Sequence, residues 1–142
     1  MTILWLAPIC AVIALLFACY KASVVSKAPA GNDTMQNIAS AISEGARAFL
    51  FSEYKVLAVF IVVLFILIGL FINWGTAICF VIGACCSILA GFFGMNTATK
   101  ANVRTAQGAI DGGMNKALGI AFSGGSVMGM CVVGLGLLGC SL

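Results

Sequence analysis

Few side chains in this sequence could carry out acid–base or metal chemistry. There is no histidine, so the commonest transition-metal ligand and near-neutral acid–base group is absent. The four carboxylates are Asp33, Glu44, Glu53 and Asp111. No two of them have a spacing that would hold one metal ion from the same face of a helix, whereas metal-assisted hydrolysis needs carboxylates that converge. The sequence therefore predicts no catalytic, cofactor-binding or metal-ligating residue in this chain.

Three basic side chains could contact an anionic group. Lys100 and Arg104 are one helical turn apart, and Lys116 follows nearby. This spacing would suffice for a phosphate contact. The alternative is anchoring at the level of the lipid headgroups together with a role in membrane topology, which is expected of lysine and arginine next to a membrane span. The sequence favours that second interpretation.

Seven cysteines are scattered through the apolar segments. An odd count in such a chain is not typical of a disulfide framework. Cysteine also packs as a small hydrophobic side chain. We therefore predict no disulfide, metal or redox role for any of them; they are Cys10, Cys19, Cys79, Cys85, Cys86, Cys131 and Cys140.

The composition is that of an integral membrane protein. Of 142 residues, 63% are hydrophobic and 8% are charged, whereas soluble domains carry about a quarter charged residues. The net charge of +3 is too small to suggest nucleic acid as a partner. We predict an all-α fold with four transmembrane helices in one membrane segment, residues 1–142. The predicted spans are residues 3–20, 55–73, 76–99 and 117–141.

The segments that flank these spans carry helix signals of their own. Asp33, with Gln36 three residues later, resembles a capping box that opens a helix. An amphipathic stretch follows, in which Glu44 and Arg47 are spaced for an ion pair. Because no breaker separates this stretch from the second span, we predict one long helix that enters the membrane after Lys55. The predicted breaks further on are a tight turn at residues 73–76 and the glycines of residues 111–113.

The basic residues predict the orientation. Six of the seven lie between the first and second spans or between the third and fourth, and the seventh, Lys55, lies where the second span begins. Short loops rich in lysine and arginine stay in the cytoplasm. We therefore predict cytoplasmic loops at residues 21–54 and 100–116, with the N-terminus and the turn at Asn73 outside. The third helix is expected to continue from about Phe93 into water.

Small residues recur on the last two spans. Gly83, Ser87 and Gly91 repeat every four residues, and Gly125 with Gly129 forms a GxxxG motif. Such patterns let membrane helices approach closely; a hinge or an ion path lined by carbonyls is the alternative. Apart from Lys55 at a boundary, the spans contain no Asp, Glu, Lys, Arg or His. Transporters normally carry such a group at membrane depth, so this segment is predicted to be scaffold.

Three motifs together resemble a known family. Residues 42–50 (ISEGARAFL) and 53–55 (EYK) resemble the second helix of membrane-bound, ion-translocating pyrophosphatases. Residues 94–95 (GM) and 98–99 (AT), followed by residues 101–105 (ANVRT), are similar to the cytoplasmic end of that family's third helix. Residues 121–122 (AF), Gly125 and residues 127–129 (VMG) are similar to its fourth helix. The resemblance covers essentially the whole chain in the right order.

The resemblance implies the function of a larger protein, of which this chain would be one part. It implies a homodimeric pump in the plasma membrane of a prokaryotic cell, which hydrolyses inorganic pyrophosphate and moves protons or sodium ions outward. Mg²⁺ is the implied cofactor, bound by residues outside this chain, and K⁺ remains open as a second. The chain is similar to outer-ring helices one to four, and residue 142 ends in apolar sequence. We therefore expect an N-terminal fragment, embedded in lipid against the rest of the pump and inactive alone. The alternative is a small standalone four-helix protein that acts through helix packing.

Overall fold

The computed structural model describes residues 2–141, and the side chains of residues 6–141. It contains three helices, α1 (Thr2–Lys27), α2 (Asp33–Phe71) and α3 (Trp74–Ser141). All three are long and apolar enough to cross a membrane. The all-α prediction is confirmed, but the structure has three such helices where we predicted four. The difference arises because residues 100–116, predicted as a loop, continue α3 and join the two predicted spans on either side.

α3 is interrupted at the predicted glycines. Gly112 (φ −151°, ψ 18°) and Gly113 (φ 67°, ψ −163°) have non-helical backbone angles. The positive φ of Gly113 is favourable for glycine and costly for other residues, because a Cβ would clash with the backbone. The break divides α3 into a first arm, residues 74–111, and a second arm, residues 114–141.

The second arm folds back antiparallel against the first. A Cβ placed on Gly124 would lie 2.6 Å from the Cβ of Ala101, and one placed on Gly94 would lie 2.6 Å from Cγ of Met128. Small residues thus allow the two arms to approach closely, as is common between membrane helices. This contact fixes the register in which residues of the two arms lie side by side.

The other two helices both pack on α3. In the part of the chain that the structure describes, α1 and α2 contact α3 but not each other. The core is correspondingly small: Ala18 of α1 lies with Ala90 of the first arm and with Val127 and Cys131 of the second. α1 extends beyond its predicted span, because it remains helical as far as Lys27.

The N-terminus of α2 differs from the predicted capping box. The N-cap is Asn32, whose Oδ1 accepts a hydrogen bond of 2.9 Å from the backbone N–H of Met35. Asp33 is the first residue inside the helix, where its charge favours the positive end of the helix dipole. The side-chain amide of Gln36 donates to the carbonyl of Gly31. The prediction of Asp33 as the cap is therefore wrong by one residue.

The rest of α2 follows the prediction in its course and differs in one contact. One helix of 39 residues runs from Asp33 to Phe71, as predicted. The predicted ion pair between Glu44 and Arg47 is wrong, since the one ion pair among residues 2–141 joins Lys116 to Asp111. Both Glu44 and Arg47 are exposed, so water solvates each charge and little is gained by pairing them.

The chain breaks after α2 as predicted, but the break lies at Ile72 and Asn73, and residues 74–76, which were predicted as part of the turn, already belong to α3. Oδ1 of Asn73 accepts hydrogen bonds from the backbone N–H of Thr76 at 2.7 Å and from its hydroxyl at 3.0 Å. Trp74 begins α3, and its ring covers Gly69, where an added Cβ would meet it at 2.9 Å. Asn73 thus caps α3 while Trp74 closes the hairpin between α2 and α3.

Of the predicted small residues, Gly91 faces another helix, since an added Cβ would lie 3.7 Å from the hydroxyl of Tyr54 on α2, but the other predicted glycines do not. Gly125, Gly129 and Gly83 are exposed, and an added Cβ on any of them would meet nothing within 4 Å. The buried positions of the second arm include Gly124 and Gly134 instead. For the helices of this chain, the predicted GxxxG contact is therefore wrong, because the second arm turns a neighbouring face toward its partners.

Candidate functional site at the basic end of the helices

Arg104 joins the C-terminus of α1 to the first arm of α3. Its Nε donates to the carbonyl of Ala28 at 3.1 Å, and one terminal nitrogen donates to the carbonyl of Ser26 at 3.4 Å. The other terminal nitrogen donates to the carbonyl of Lys100 at 2.8 Å. A positive charge is stabilising at the end of a helix, where carbonyls lack helical partners. The sequence analysis considered Arg104 for a phosphate contact, but in the structure its guanidinium group is hydrogen-bonded to main-chain carbonyls.

Lys100 and Arg104 do lie in one groove, as their spacing predicted. The groove runs between α2 and the first arm and has a volume of about 230 Å³. Polar side chains of both helices line it, including Gln36, Ser40 and Ser43 of α2. Lys100 itself is exposed. The groove can therefore offer one free cation and several hydroxyl groups to solvent or to a lipid headgroup.

Lys116, the third predicted cation, lies apart from this groove. Its Nζ is 3.7 Å from a carboxylate oxygen of Asp111. The other carboxylate oxygen of Asp111 accepts a hydrogen bond of 2.6 Å from the side-chain amide of Gln107. The ion pair joins the two arms beside the break at Gly112 and Gly113, and the hydrogen bond from Gln107 positions Asp111 within the first arm. Lys116 and Asp111 thus have a local structural role.

A fourth cation makes a contact that the sequence did not reveal. Nζ of Lys21 on α1 lies 3.5 Å from the hydroxyl of Ser123 on the second arm, and 5.6 Å above the ring of Phe17. The ring and the hydroxyl both favour an ammonium group that is partly withdrawn from water. The two residues are 102 positions apart in the chain, so no local pattern could have indicated their contact.

The four carboxylates do not come together. Asp33, Glu44 and Glu53 are exposed at different heights along α2, and Asp111 lies beside the break in α3. Among residues 2–141 no three side chains of Cys, Asp or Glu are grouped closely enough to hold a metal ion. What the described residues form at this end is a set of contacts that join α1 and the two arms of α3.

A tie near the middle of α2 completes this framework. The hydroxyl of Tyr54 donates a 3.1 Å hydrogen bond to the carbonyl of Ile88 on the first arm. The neighbouring Lys55 places its ammonium 4.4 Å from the centre of the Phe51 ring. Such aromatic and basic residues are typical of the boundary between hydrocarbon and water. Long helices whose charge-free apolar stretches are flanked by basic groups define a segment of a multi-pass α-helical membrane protein.

Comparison with known proteins gives the family. A family profile described as inorganic H⁺ pyrophosphatase matches residues 12–142. The chain belongs to this family.

Individual relatives agree with that assignment. The chain is 57% identical over 119 residues to a Clostridium tetani protein whose provisional name is K(+)-stimulated pyrophosphate-energized sodium pump. It is 43% identical over 141 residues to a K(+)-insensitive pyrophosphate-energized proton pump of Methanosarcina mazei. It is 41% identical over 128 residues to a K(+)-stimulated pyrophosphate-energized sodium pump of Thermotoga maritima. These matches cover 84%, 98% and 89% of this chain, but only 18%, 21% and 18% of the relatives.

Proposed function

We propose that this chain forms the N-terminal part of a pump that couples hydrolysis of inorganic pyrophosphate to outward transport of protons or sodium ions. The observation that carries the proposal is the family match over residues 12–142, together with relatives that are named as pyrophosphate-energized pumps. The chain spans about a fifth of their length. The contacts at its basic end fit a part that holds helices in place while other parts of the polypeptide perform the chemistry.

We propose further that the chain contributes four membrane spans, in the helical segments 3–20, 55–73, 76–99 and 117–141. The break at Gly112 and Gly113 supports two spans in α3, because it allows the second arm to return antiparallel to the first. Loops 21–54 and 100–116 would face the cytoplasm, with the N-terminus outside. The support is that six of the seven basic residues lie in those loops and the seventh, Lys55, lies at a boundary.

The proposed setting is the plasma membrane of a prokaryotic cell, where the rest of the pump polypeptide and a second identical subunit would surround this segment. Magnesium is the metal that the proposed reaction implies, and it prefers oxygen ligands, chiefly carboxylates and phosphates. The residues of this chain do not fit it, because the four carboxylates are dispersed among the described helices. Residues elsewhere in the pump would hold the metal and pyrophosphate.

Phosphate release from magnesium pyrophosphate tests the proposal. The product of the full open reading frame, in isolated membranes, is expected to release phosphate, and the 142-residue chain reconstituted alone is expected to release none. Failure of the full-length product to hydrolyse pyrophosphate would overturn the assignment of activity. Turnover by the 142-residue chain would overturn the view that this part is scaffold and would favour a standalone protein.

A further inference from the structure

Two neighbouring grooves run between α2 and the first arm of α3. The first is the groove of about 230 Å³ that contains Lys100, and we call it the Lys100 groove. The second has a volume of about 150 Å³ and includes Leu50 and Phe92 in its walls, and we call it the Leu50 groove. Ser43 and Thr99 line both of them. The two grooves are therefore continuous, with a polar end and an apolar end.

The residues that line these grooves include three cations. Lys100 and Arg104 line the Lys100 groove, and Arg47 lines the Leu50 groove. None of the described residues that line either groove is acidic. Lys100 and Arg47 are exposed, and the one ion pair among residues 2–141 involves neither of them. The continuous groove therefore complements an anion, and it offers a cationic group no partner of opposite charge.

The proposed spans place the cations beside the membrane boundary. The span 76–99 ends at Thr99, so Lys100 is the first residue beyond it, whereas Phe92 lies inside it. On α2, Arg47 lies about two helical turns before residue 55, where the span of that helix begins. The apolar end of the continuous groove thus meets the hydrocarbon at Phe92, and the cations lie at the level of the lipid headgroups.

We propose that the continuous groove binds one anionic phospholipid of the cytoplasmic leaflet, an inference that rests on the proposed function and its membrane spans. The lipid phosphate would accept hydrogen bonds from Lys100 and from the hydroxyl groups of Ser40 and Ser43, which line the Lys100 groove. Basic pockets between membrane helices on the cytoplasmic side bind anionic headgroups in this way. An acyl chain would lie along the Leu50 groove, which a soluble phosphate compound would leave empty.

The same chemistry disfavours a zwitterionic lipid. The headgroup of phosphatidylcholine carries a quaternary ammonium group beside its phosphate, and that group would face three cations and no carboxylate among the described lining residues. The headgroup of phosphatidylglycerol carries the phosphate charge alone, with hydroxyl groups that can bond to serine. Phosphatidylglycerol is therefore the probe, and phosphatidylcholine with the same acyl chains is its control.

Native mass spectrometry of the full-length protein tests the site. The protein is purified in detergent, freed of lipid and mixed with equal amounts of phosphatidylglycerol and phosphatidylcholine. We expect phosphatidylglycerol to bind at least about fivefold more tightly, since each basic residue near an anionic headgroup contributes about that factor. Equal retention of the two lipids overturns the inference.

A pair of matched variants separates a site from general attraction by the basic surface. Lys100→Gln removes one exposed cation of the Lys100 groove and should weaken phosphatidylglycerol binding about fivefold, which corresponds to about 1 kcal/mol. Lys27→Gln removes an exposed cation of the same side of the membrane that is not among the residues lining either groove, and it should have a smaller effect. Equal losses in the two variants overturn the inference.

A competition experiment tests the role of the acyl chain. Glycerol phosphate carries the phosphate charge without a chain, so at the concentration of the lipid it should displace little phosphatidylglycerol from the wild-type protein. Displacement as effective as that by a second phosphatidylglycerol of different chain length would assign the groove to a soluble anion and overturn the inference.

Pyrophosphate hydrolysis by membranes that contain the wild-type protein distinguishes failure of this inference from failure of the proposed function. Selective retention of phosphatidylglycerol without hydrolysis supports the lipid site and sinks the proposed activity. Hydrolysis without selective retention does the reverse.

Discussion

The contact between Gly124 and Ala101 can be tested by adding one methyl group. The Cβ introduced by Gly124→Ala would lie 2.6 Å from the Cβ of Ala101, whereas ordinary contacts begin at 3.4 Å. The two arms must therefore separate by about 0.8 Å, the difference between these distances, or the helices must deform. Because both residues are buried, neither can turn away. Such overpacking typically costs about 1–3 kcal/mol.

The adjacent glycine provides the matched control. Gly125→Ala adds the same methyl group to the same helix at an exposed position where a Cβ meets nothing within 4 Å. Both variants gain the same helix propensity, up to about 1 kcal/mol. The difference between them therefore isolates the overpacking, and we expect Gly124→Ala to be less stable than Gly125→Ala by about 1–3 kcal/mol.

The assay is thermal unfolding of the full-length protein in detergent, followed by loss of the monodisperse peak in size-exclusion chromatography. Gly124→Ala should unfold at a lower temperature than Gly125→Ala. The double variant Gly124→Ala with Ala101→Gly removes the opposing methyl group and should recover most of the loss, as a double-mutant cycle requires of residues in contact. Equal midpoints for the two single variants, or no recovery in the double variant, would refute the register of the two arms.

Three further predictions concern the ties between helices and the orientation of the chain. Arg104→Lys should lower stability by about 1–3 kcal/mol, because lysine lacks the forked guanidinium that donates to several carbonyls at once. The control variant Lys100→Gln, measured in the same unfolding assay, should lose less stability. Equal losses would contradict the role of Arg104 in joining α1 to α3. Tyr54→Phe removes one donor and should cost about 0.5–1.5 kcal/mol, so an unchanged midpoint would mean that the hydrogen bond contributes nothing. In a cysteine-free background, Gly75→Cys should react with an impermeant thiol reagent in intact cells while Ala30→Cys should not, and the opposite pattern would reverse the proposed orientation.

Local patterns predicted the course of the helices well. The uninterrupted apolar periodicity after Asp33 indicated a single helix through to Phe71, and the structure has it. The glycines at 112 and 113 and the turn at Asn73 also break the chain where predicted. Each of these features depends on residues close in sequence, whose backbone preferences act without help from the rest of the fold. The cap at Asn32 was missed because Asp33 offers an equally good side chain one position later.

The contacts between helices could not be predicted in the same way. Gly124, Gly125 and Gly129 are equally small, and their order does not determine which of them turns toward a neighbour. That choice depends on the rotation of the second arm about its axis, which its contacts with Ala101 and with Leu15 of α1 determine. The bonds from Arg104 to the end of α1 and from Lys21 to Ser123 likewise join residues far apart in the chain. The helical periodicity of a sequence does not indicate which distant residues will be in contact.

The unbroken course of α2 has a mechanical consequence. The helix is about 58 Å long at 1.5 Å per residue, and it has no internal kink at which it could bend. The hydrogen bond of Tyr54 to the first arm lies near its midpoint. A tilt of about 5° around that point would move the two ends by about 2–3 Å in opposite directions. If α2 tilts as a rigid rod, a displacement of its amphipathic N-terminal half therefore moves its C-terminal end, beside Asn73, in the opposite direction.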